Sequence, residues 1–365
     1  MSGYDVIVVG LGAIGSGAAW RLAAGGARVL GLDRHGIGHA FGSSHGTSRI
    51  IREAYPDGDA YVPLVRRAFA LWEEAEAQSG RAILHRVGAL AMAPAHEHRI
   101  VGGRRSAQRF GIPLDFLPAP SKRFPAFRLP EGHVGVFEPG GGYLEPEMGV
   151  AAQCELAARA GAELRRGVEV LHWEADGEGV AVRTPTGIER ADRLVLAAGP
   201  WMPELLGTLG LPLRVERRVN VHFASALTDL PVFNLVVDEG QFYGFPAIGS
   251  VGLKLGRHDA DAPCTPQTIR RTVGDDEVTT FRAVLDRYLP GAAGPVLRTV
   301  TCLYTMSPDG AFIVDRHPEH PQVVFFTGCS GHAFKFAPAL GEALAGLSAV
   351  DLTAFSAARF ASAAA

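Results

Sequence analysis

The pattern of hydrophobic and polar residues predicts a strand, a helix and a second strand at the start of the chain. Residues 6–9 form a continuous apolar, β-branched run, which is typical of a parallel strand buried on both faces. An Ala-rich stretch of helical length follows, and the stretch ARVLGLD predicts the second strand. This order of elements is that of a βαβ unit.

The rest of the chain combines helical patterns with two kinds of strand. Helices are predicted over 63–80, 145–161 and 276–288, and short strands between proline-broken loops over 82–140. Alternating patterns over 214–226 and 234–258 indicate antiparallel strands. The stretches LVLAAGPW and VVFFTGCSG read as apolar strands that end in small residues, and the second leads into a last helix. We therefore expect an α/β (α+β) fold.

The composition is that of an ordinary globular protein, with 20% charged and 47% hydrophobic residues. A net charge of −3 and no long basic cluster argue against nucleic acid or a membrane surface as a partner. The sequence shows no secretory signal and no apolar run long enough to span a bilayer, so we expect a cytoplasmic protein. The four cysteines lack zinc-ligand or CxxC spacing, which favours free thiols and no metal site.

Three glycines follow the first predicted strand in a spacing that suits phosphate binding. Gly10, Gly12 and Gly15 form a G-x-G-x-x-G motif before the helix, and Asp33 ends the second strand. The glycines permit a tight turn beside a pyrophosphate, the helix N-terminus offers N–H donors, and the acid can accept from ribose hydroxyls. The alternative is a plain βαβ unit with a tight turn. We predict dinucleotide binding, with FAD or NAD favoured over NADP because Asp33 suits an unphosphorylated ribose.

Regular strand-helix alternation stops after this first unit and returns later in the chain. We therefore predict a discontinuous nucleotide-binding domain made of residues 1–80, 141–210 and 296–365. Residues 81–140 and 211–295 are predicted to form a sheet-based second domain between these segments.

The chain has three lysines, and two of them stand in apolar surroundings. Lys122 lies in a polar loop. Lys254 lies in a strand pattern, GLKLG, whose apolar neighbours would lower the pKa of a lysine. Lys335 lies between two phenylalanines before the last helix, whose positive end disfavours a cation. A solvent-facing edge strand for Lys254 and a snorkelling side chain for Lys335 are the alternatives to functional roles.

Six segments, in the same order along the chain, resemble one protein family. They are DVIVVGLGAIGSGAAWRLA, GSSHGTSRIIREAY, YVPLVRRAFALW, FYGFPAIGSVGLKLGRH, CLYTMSPDGAFIVD and GCSGHAFKFAPALGEALA. The resemblance is to the monomeric sarcosine oxidase and N-methyltryptophan oxidase family of FAD-dependent amine oxidases, within the D-amino-acid-oxidase-like superfamily. It extends nearly from one end of the chain to the other.

The resemblance implies a monomer in which a Rossmann-like FAD domain of the glutathione-reductase type is interleaved with a mixed-sheet substrate domain. It also implies covalent FAD, attached by a thioether between Cys302 and the 8α-methyl group of the flavin. A small buried hydrophobe is the alternative for this cysteine. The other positions expected to contact the cofactor are Gly10, Gly12, Ile14, Gly15, Asp33, Arg34, Ser43, Arg49, Val168, Ala198, Gly199, Trp201, Gly331, His332, Phe334 and Lys335.

The resemblance also implies roles in the reaction. Arg52 and Lys335 are expected to hold the substrate carboxylate, which suits the planar fork of an arginine and the point charge of a lysine. Lys254 is expected near flavin N5, where a cation would stabilise the superoxide formed from O2. The remaining catalytic or pocket positions implied by the resemblance are Arg49 and His45 against the flavin, Tyr243 and His258 beside the amine, and Asn234 in the pocket.

Four residues depart from the usual pattern of that family. Ser44 stands in place of the first histidine of a His-His pair, and Cys329 and Ala333 replace phenylalanine and glycine in the last loop. A Cβ at Ala333 restricts the backbone of that turn. Asn234 replaces a methionine, which suggests a substrate with a hydrogen-bonding group or of a different size.

The expected reaction is oxidation of a secondary N-methyl amino acid such as sarcosine. A hydride equivalent passes from the carbon next to a neutral amine to FAD N5, the imine is hydrolysed, and O2 becomes H2O2. An oxidase of a cyclic imino acid of the pipecolate or proline type, or of another N-substituted amino acid, is an alternative within the family. An NAD-dependent dehydrogenase and a non-catalytic flavoprotein are the alternatives from other classes.

Overall fold

The computed structural model describes residues 3–259 and 263–363, the last three of these without their side chains. The first part of the chain contains β1 (Tyr4–Val9), α1 (Ala13–Ala24), β2 (Val29–Asp33), β3 (Arg49–Ile51), α2 (Tyr61–Ser79), β4 (Leu84–His85), β5 (Ala89–Pro94), α3 (His98–Phe110), β6 (Asp115–Leu117), α4 (Pro120–Arg123), β7 (His133–Glu138), β8 (Gly142–Leu144), α5 (Pro146–Arg159), β9 (Glu163–Arg166), β10 (His172–Asp176), β11 (Gly179–Thr184) and β12 (Gly187–Leu196). The second part contains α6 (Met202–Leu205), β13 (Arg214–Phe223), β14 (Val232–Val237), β15 (Gly240–Ile248), β16 (Gly252–Arg257), α7 (Asp275–Tyr288), β17 (Val296–Met306), β18 (Ile313–Arg316), β19 (Val323–Thr327) and α8 (Ala337–Leu344).

The first sheet has parallel strands at its centre, in the order β9-β2-β1-β12-β19. Side chains alternate along β1, so that Val6 and Val8 pack in one core while Ile7 and Val9 pack in another on the opposite face. Both faces are therefore covered, which explains why the strand is apolar throughout. The carboxyl ends of these strands lie at one edge of the sheet, where ligands bind in open α/β folds.

Helices α1, α5 and α8 pack together on one face of the first sheet, and two glycines let α1 and α8 approach closely. A Cβ added to Gly341 of α8 would lie 2.5 Å from the backbone nitrogen of Ala18 in α1. A Cβ added to Gly17 of α1 would lie 3.2 Å from the carbonyl oxygen of Ala337. The backbones of the two helices are thus nearly in contact, and this contact fixes the start of α8.

The second sheet has eight strands in the order β17-β13-β16-β15-β14-β5-β7-β6, antiparallel except for the β14–β5 pair. Helix α7 covers one face, where Phe281 packs with Leu253 and Leu255 of β16. Because side chains alternate, Lys254 points to the other face. A short sheet of β3, β8 and β4 carries Arg49.

The structure confirms the predicted mixed α/β fold and nearly all of its predicted elements. Helix α3 was missed, because the prediction for 82–140 contained only short strands and loops. Its sequence, HRIVGGRRSAQRF, has two adjacent glycines and few apolar residues, so it lacks a helical signature. Gly102 is there for close packing, since a Cβ on it would lie 2.7 Å from the carbonyl oxygen of Pro56.

The predicted division into two domains stays a prediction. The strands of the first sheet all fall within 1–80, 141–210 and 296–365, but β17 of the last segment belongs to the second sheet. Residues 1, 2, 364 and 365 of that prediction lie outside the described residues. None of the helices described is long and apolar enough to cross a membrane.

The contact between α1 and α8 predicts that Gly341→Ala destabilises the protein, whereas Gly103→Ala, which lies outside this contact, does not. Gly341→Ala should lower the free energy of unfolding by about 1–3 kcal/mol, because its methyl group meets backbone atoms that cannot move independently. Gly103→Ala is the matched control, since the nearest atom to a Cβ on this helical glycine is Val136 Cγ2 at 3.9 Å. That change should be neutral or stabilising by up to about 1 kcal/mol. Urea unfolding measures both changes. Equal midpoints for the two variants, at equal slopes, would contradict the close packing.

Candidate active site

A cavity of about 440 Å³ lies between the carboxyl edge of the first sheet and the uncovered face of the second. It is lined by residues that follow β1, β2, β12 and β19 and by side chains from β14, β15 and β17. Of the predicted site residues, those that line it are Gly10, Gly12, Ile14, Asp33, Arg34, Ser43, Arg49, Arg52, Val168, Ala198, Gly199, Trp201, Asn234, Tyr243, His258, Cys302, Gly331, His332, Phe334 and Lys335. Three predicted residues, Gly15, His45 and Lys254, lie behind its wall.

The glycine turn after β1 is built from close backbone contacts. Gly10 has a φ of 89°, and a Cβ on it would lie 2.6 Å from the carbonyl oxygen of Ala197. A Cβ on Gly15 would lie 1.8 Å from the carbonyl oxygen of Gly10, so Gly15 serves the packing of the turn. Ser44 Oγ accepts from the backbone N–H of Ala13 at 3.1 Å, in the first turn of α1.

Asp33 joins the ends of β1 and β2 from a nearly buried position. Its Oδ2 accepts from the backbone N–H of Leu11 and its Oδ1 from that of His35, both at 2.7 Å. Close by, Arg34 forms an ion pair with Glu169. The buried Nε1 of Trp201 has no hydrogen-bond partner within the described residues. A glycine turn, an acid at the end of β2 and an unpaired indole N–H fit the pyrophosphate and ribose of a dinucleotide.

Lys254 is completely enclosed between the second sheet and the loop that precedes β3. Its Nζ donates to the carbonyl oxygens of Gly46 at 2.8 Å and Ser48 at 2.7 Å, and to Ser48 Oγ at 3.2 Å. It also lies 4.5 Å from the centre of the Phe245 ring, which lines the cavity. Burial, and then the charge of Arg49, hold the pKa of Lys254 well below its ordinary value, in the direction that the apolar pattern predicts.

The loop at Gly46 and Thr47 has a strained backbone and is held from two sides. Both residues have positive φ, 95° and 68°, which is uncommon for a threonine. Glu147 Oε1 accepts from the backbone N–H of Gly46 at 2.6 Å and from that of Thr47 at 3.2 Å, while Lys254 binds carbonyl oxygens of the same loop. The loop therefore places the start of β3, where Arg49 lies.

Arg49 lines the cavity beside this loop, whereas His45 lies behind the cavity wall. The guanidinium of Arg49 donates to the carbonyl oxygens of Ser43 at 2.8 Å and Ser48 at 2.9 Å. Burial, and then the charge of Arg49, lower the pKa of His45 to about 3. His45 is therefore a neutral ring; its Nε2 contacts Gly42 O at 3.1 Å, and its Nδ1 has no partner within the described residues.

Arg52 and Lys335 form a pair of cations around the ring of Tyr55. The Arg52 guanidinium lies 5.4 Å and the Lys335 ammonium 5.3 Å from the centre of that ring. Each donates to a carbonyl oxygen at 2.8 Å, of Ala54 and His332 respectively, and neither forms an ion pair with an acid of the described chain. Burial, and then the charge of Arg52, lower the pKa of Lys335 to about 7.

The second sheet contributes the other polar wall of the cavity. The Tyr243 hydroxyl donates to Asn220 Oδ1 at 2.7 Å, and Asn234 of β14 is the partner of Tyr243 in the strand register. Burial, and then the charge of Arg99, lower the pKa of His258 to about 3, so its ring is neutral. Cys302 is buried on β17, opposite Arg218 in the register.

Five charged residues of the cavity were not predicted from the sequence: Arg99, Asp57, Glu169, Glu204 and Asp309. Arg99 lies in the unpredicted helix α3, and Asp57 lies in the loop before α2. Both stand in segments that gave no motif, so only the fold could place them there. Tyr304, which also lines the cavity, lies within the quoted segment CLYTMSPDGAFIVD and could have been found from it.

The last loop accommodates the residues that replace the family's usual ones. Ala333 has φ −77° and ψ −24°, an ordinary helical conformation, so its Cβ causes no strain there. The left-handed positions are Ser330 and Gly331, with φ of 43° and 77°. A Cβ on Gly331 would lie 2.1 Å from the Tyr304 ring, so this position requires glycine. Cys329 Sγ accepts from the backbone N–H of Thr305 at 3.4 Å.

Comparison with known proteins agrees with this arrangement. A monomeric sarcosine oxidase from Streptomyces avermitilis is 40% identical, with 96% of this chain and 95% of the relative covered. An N-methyl-L-tryptophan oxidase from Yersinia pestis is 37% identical, with 98% and 99% covered. The solved structure of NikD, an amino acid oxidase essential for nikkomycin biosynthesis, in its open form, matches with a TM-score of 0.87 at 28% identity, with 98% of each chain covered.

The family model described as FAD dependent oxidoreductase matches residues 5–347. The match spans the glycine turn, both sheets and the loop with Lys335, and it favours FAD over the NAD alternative. The sequence resemblance to sarcosine and N-methyltryptophan oxidases is confirmed by these relatives. The chain belongs to the FAD dependent oxidoreductase family.

Proposed function

We propose that this protein is an oxidase of secondary, N-methyl amino acids such as sarcosine, which uses covalently bound FAD and O2 and produces H2O2. The observation that carries this proposal is the cation pair of Arg52 and Lys335, which faces the cavity without an acid of the described chain to neutralise it. A buried ammonium and a half-buried guanidinium that form no ion pair within the described chain favour an anionic ligand, and an amino acid substrate brings its carboxylate. The two N-methyl amino acid oxidases among the relatives point to the same substrate class.

The cavity has the groups needed to hold FAD. The turn from Gly10 to Gly12 and the start of α1 would hold the pyrophosphate, and Asp33 the ribose. The remaining cofactor contacts proposed are Ile14, Arg34, Ser43, Arg49, Val168, Ala198, Gly199, Trp201, Gly331, His332, Phe334 and Lys335. When bound, FAD supplies the redox chemistry: it takes a hydride equivalent from the carbon beside the substrate nitrogen and passes the electrons to O2.

Cys302 is the residue proposed to carry the flavin. It lines the cavity from β17 and is the one cysteine of that strand, in the segment on which the family resemblance rests. Cys329 also lines the cavity, but its sulfur already accepts a backbone hydrogen bond, and burial raises the pKa of its thiol. The hydrogen bond that Cys329 already accepts favours Cys302 as the sulfur that bonds to the flavin.

The walls of the cavity suit an uncharged amine. Besides Arg34, which pairs with Glu169, the cations Arg49, Arg52, Arg99 and Lys335 line the cavity, and they disfavour a positively charged substrate nitrogen. The neutral ring of His258 can accept from the amine N–H. The Tyr243 hydroxyl gives its proton to Asn220 and also interacts with Tyr304, so toward the amine it can act only as an acceptor. A neutral secondary amine has one N–H, which either of these two groups can accept while the nitrogen lone pair stays available for oxidation.

Lys254 is proposed to promote the reaction with O2 by its charge. Its Nζ donates to two carbonyl oxygens and to Ser48 Oγ, and these three acceptors favour the ammonium form although burial lowers the pKa. The group lies beside Phe245, just behind the cavity wall, where it is buried. A positive charge in such a low-dielectric position stabilises the superoxide anion formed when O2 takes up its first electron. The nearby cation Arg49 adds to the same field.

The first experiment asks for the cofactor and the product together. Purified protein should be yellow, keep its flavin on the polypeptide after acid precipitation, and give one H2O2 per molecule of sarcosine or N-methyl-L-amino acid oxidised. Cys302→Ser should release its flavin on precipitation. A panel with glycine, L-proline and L-pipecolate separates the main proposal from the cyclic imino acid alternative. Flavin-bearing protein that yields no peroxide from any secondary amino acid would rule out the proposed function.

The lowered pKa of Lys335 predicts that carboxylate binding weakens above neutral pH. Below its pKa of about 7 the ammonium is already present, whereas above it each binding event must take up a proton. The affinity for methoxyacetate, an analogue of sarcosine that lacks N–H, should fall by up to about tenfold per pH unit above that point. Flavin absorbance titrations from pH 6 to 9 measure this. Lys335→Met should lose the pH dependence and the exposed-residue control Lys122→Met should keep it; a flat profile in the unaltered protein would contradict the prediction.

Lys254→Met tests the role of the buried ammonium. Stopped-flow measurements should show reoxidation of the flavin by O2 slowed by about 10²–10³-fold, the usual cost of removing one preorganised electrostatic group. Anaerobic flavin reduction by sarcosine should change by less than about tenfold, because the carboxylate and amine contacts are kept. Lys122→Met again serves as the control. If both half-reactions slow by the same factor, Lys254 acts through the strained loop at Gly46 and not through its charge.

A further inference from the structure

Arg99 is a cation of the cavity to which the proposed reaction assigns no ligand. It lies in the first turn of α3, and its backbone N–H donates to the carboxylate of Glu97 at 2.6 Å. The positive end of a helix is an unfavourable place for a cation, so the helix itself does not explain the arginine. Its side chain nevertheless extends to the cavity wall.

The guanidinium of Arg99 lacks a charged partner. Its Nη2 donates to the neutral amide oxygen of Gln241 at 3.0 Å, and it forms no ion pair with an acid of the described chain. Burial, and then the charge of Arg52, lower the pKa of Arg99. A guanidinium has five N–H donors, so most of its hydrogen-bonding capacity remains open to a ligand.

Among the acids around Arg99, Asp57 affects the pKa of Arg99 most, but Asp57 also interacts with other groups. Its carboxylate lies 3.2 Å from Nε2 of the exposed His98. Burial would raise the pKa of Asp57, but the interactions with His332, and then with the cations Arg52 and Arg99, lower it. The pKa of His332 is itself lowered to about 4, so near neutral pH one carboxylate faces the two arginines, which leaves a net positive charge on this side of the cavity.

Arg99 comes from a different element than the pair proposed to hold the first carboxylate. It comes from α3, while Arg52 follows β3 and Lys335 precedes α8. Among the charges around His258, that of Arg99 affects the imidazole most. Arg99 is therefore within electrostatic reach of His258, the group proposed to contact the amine, and also of Arg52. Asn234 also lines the cavity, and its amide can form a hydrogen bond with a polar substrate side chain.

We propose that Arg99 binds a second carboxylate, carried by the side chain of the substrate, so that the preferred substrates are N-methyl amino acids with an acidic side chain. This inference rests on the function proposed above. A planar carboxylate matches the guanidinium fork, and the net charge at this side of the cavity favours a dianionic ligand over a neutral one. Sarcosine would then be a substrate that leaves the Arg99 end unfilled.

The first test measures binding with ligands that cannot be oxidised. Glutarate and glutaramate have nearly the same shape, but glutaramate carries an amide in place of one carboxylate; succinate and succinamate form a shorter pair. In the unaltered holoenzyme at least one dicarboxylate should bind about 10- to 100-fold more tightly than its monoamide, as expected for a charged hydrogen bond. Arg99→Gln should bring that ratio close to one, and Arg99→Lys should retain part of it.

Arg105→Gln is the matched control, because Arg105 is an exposed arginine of the same helix. It should keep the full ratio. The second test compares kcat/KM for N-methylglutamate with N-methylglutamine, and for N-methylaspartate with N-methylasparagine. The acidic substrate of one pair should be preferred by about 10- to 100-fold, and Arg99→Gln should remove that preference.

The outcomes separate this inference from the proposed function. A preference for the dicarboxylates that depends on Arg99, together with no peroxide from any N-methyl amino acid, would support the second anion site and reject the oxidase. Peroxide from sarcosine, with dicarboxylates bound no better than their monoamides, would reject the role of Arg99 and leave the oxidase. A preference for dicarboxylates that survives in Arg99→Gln would also reject it.

Discussion

The hydrogen bonds from Lys254 to the loop at Gly46 and Ser48 connect the two sides of the cavity. A buried ammonium must be satisfied by oxygen atoms, and here they are backbone carbonyls that belong to the first half of the chain. The strand that carries Lys254 also lies beside the strand with Tyr243. Lys254 therefore helps to fix Arg49 relative to the second sheet, whatever charge effect it has on O2. Glu138 of β7 does the same beside Arg52, because its carboxylate accepts from the backbone N–H groups of Glu53 and Ala54.

The acids of the cavity have partners within the fold, whereas most of its cations form no ion pair with an acid of the described chain. Its acids all have partners: Asp33 accepts from two backbone amides, Glu169 pairs with Arg34, Asp309 with Arg359 and Asp57 with His98, and Glu204 accepts from Gln267. Its cations Arg49, Arg52, Arg99 and Lys335 contact only neutral oxygens of the described chain. A folded protein tolerates such an imbalance where a ligand supplies the missing charge.

The sequence predicted those residues of the candidate site that belong to a recognisable local pattern. The glycine turn and Asp33 were found because a tight turn and an acid at a strand end form a local pattern. Lys254 was found because a lysine among apolar β residues is conspicuous, although the pattern did not indicate that its ammonium lies behind the cavity wall. Helix α3 and Arg99 were missed because Gly102 reflects close packing against the distant Pro56, and a surface-like arginine has no local signal.

The contact of Gly17 with α8 has a consequence for the order in which the protein matures. Arg52 leaves the ribosome early, while Lys335 leaves it only after the second sheet has been made. The start of α8, and with it Lys335, is positioned by docking on a helix synthesised some three hundred residues earlier. The cavity is thus incomplete on a nascent chain, so we expect cofactor loading to follow release from the ribosome.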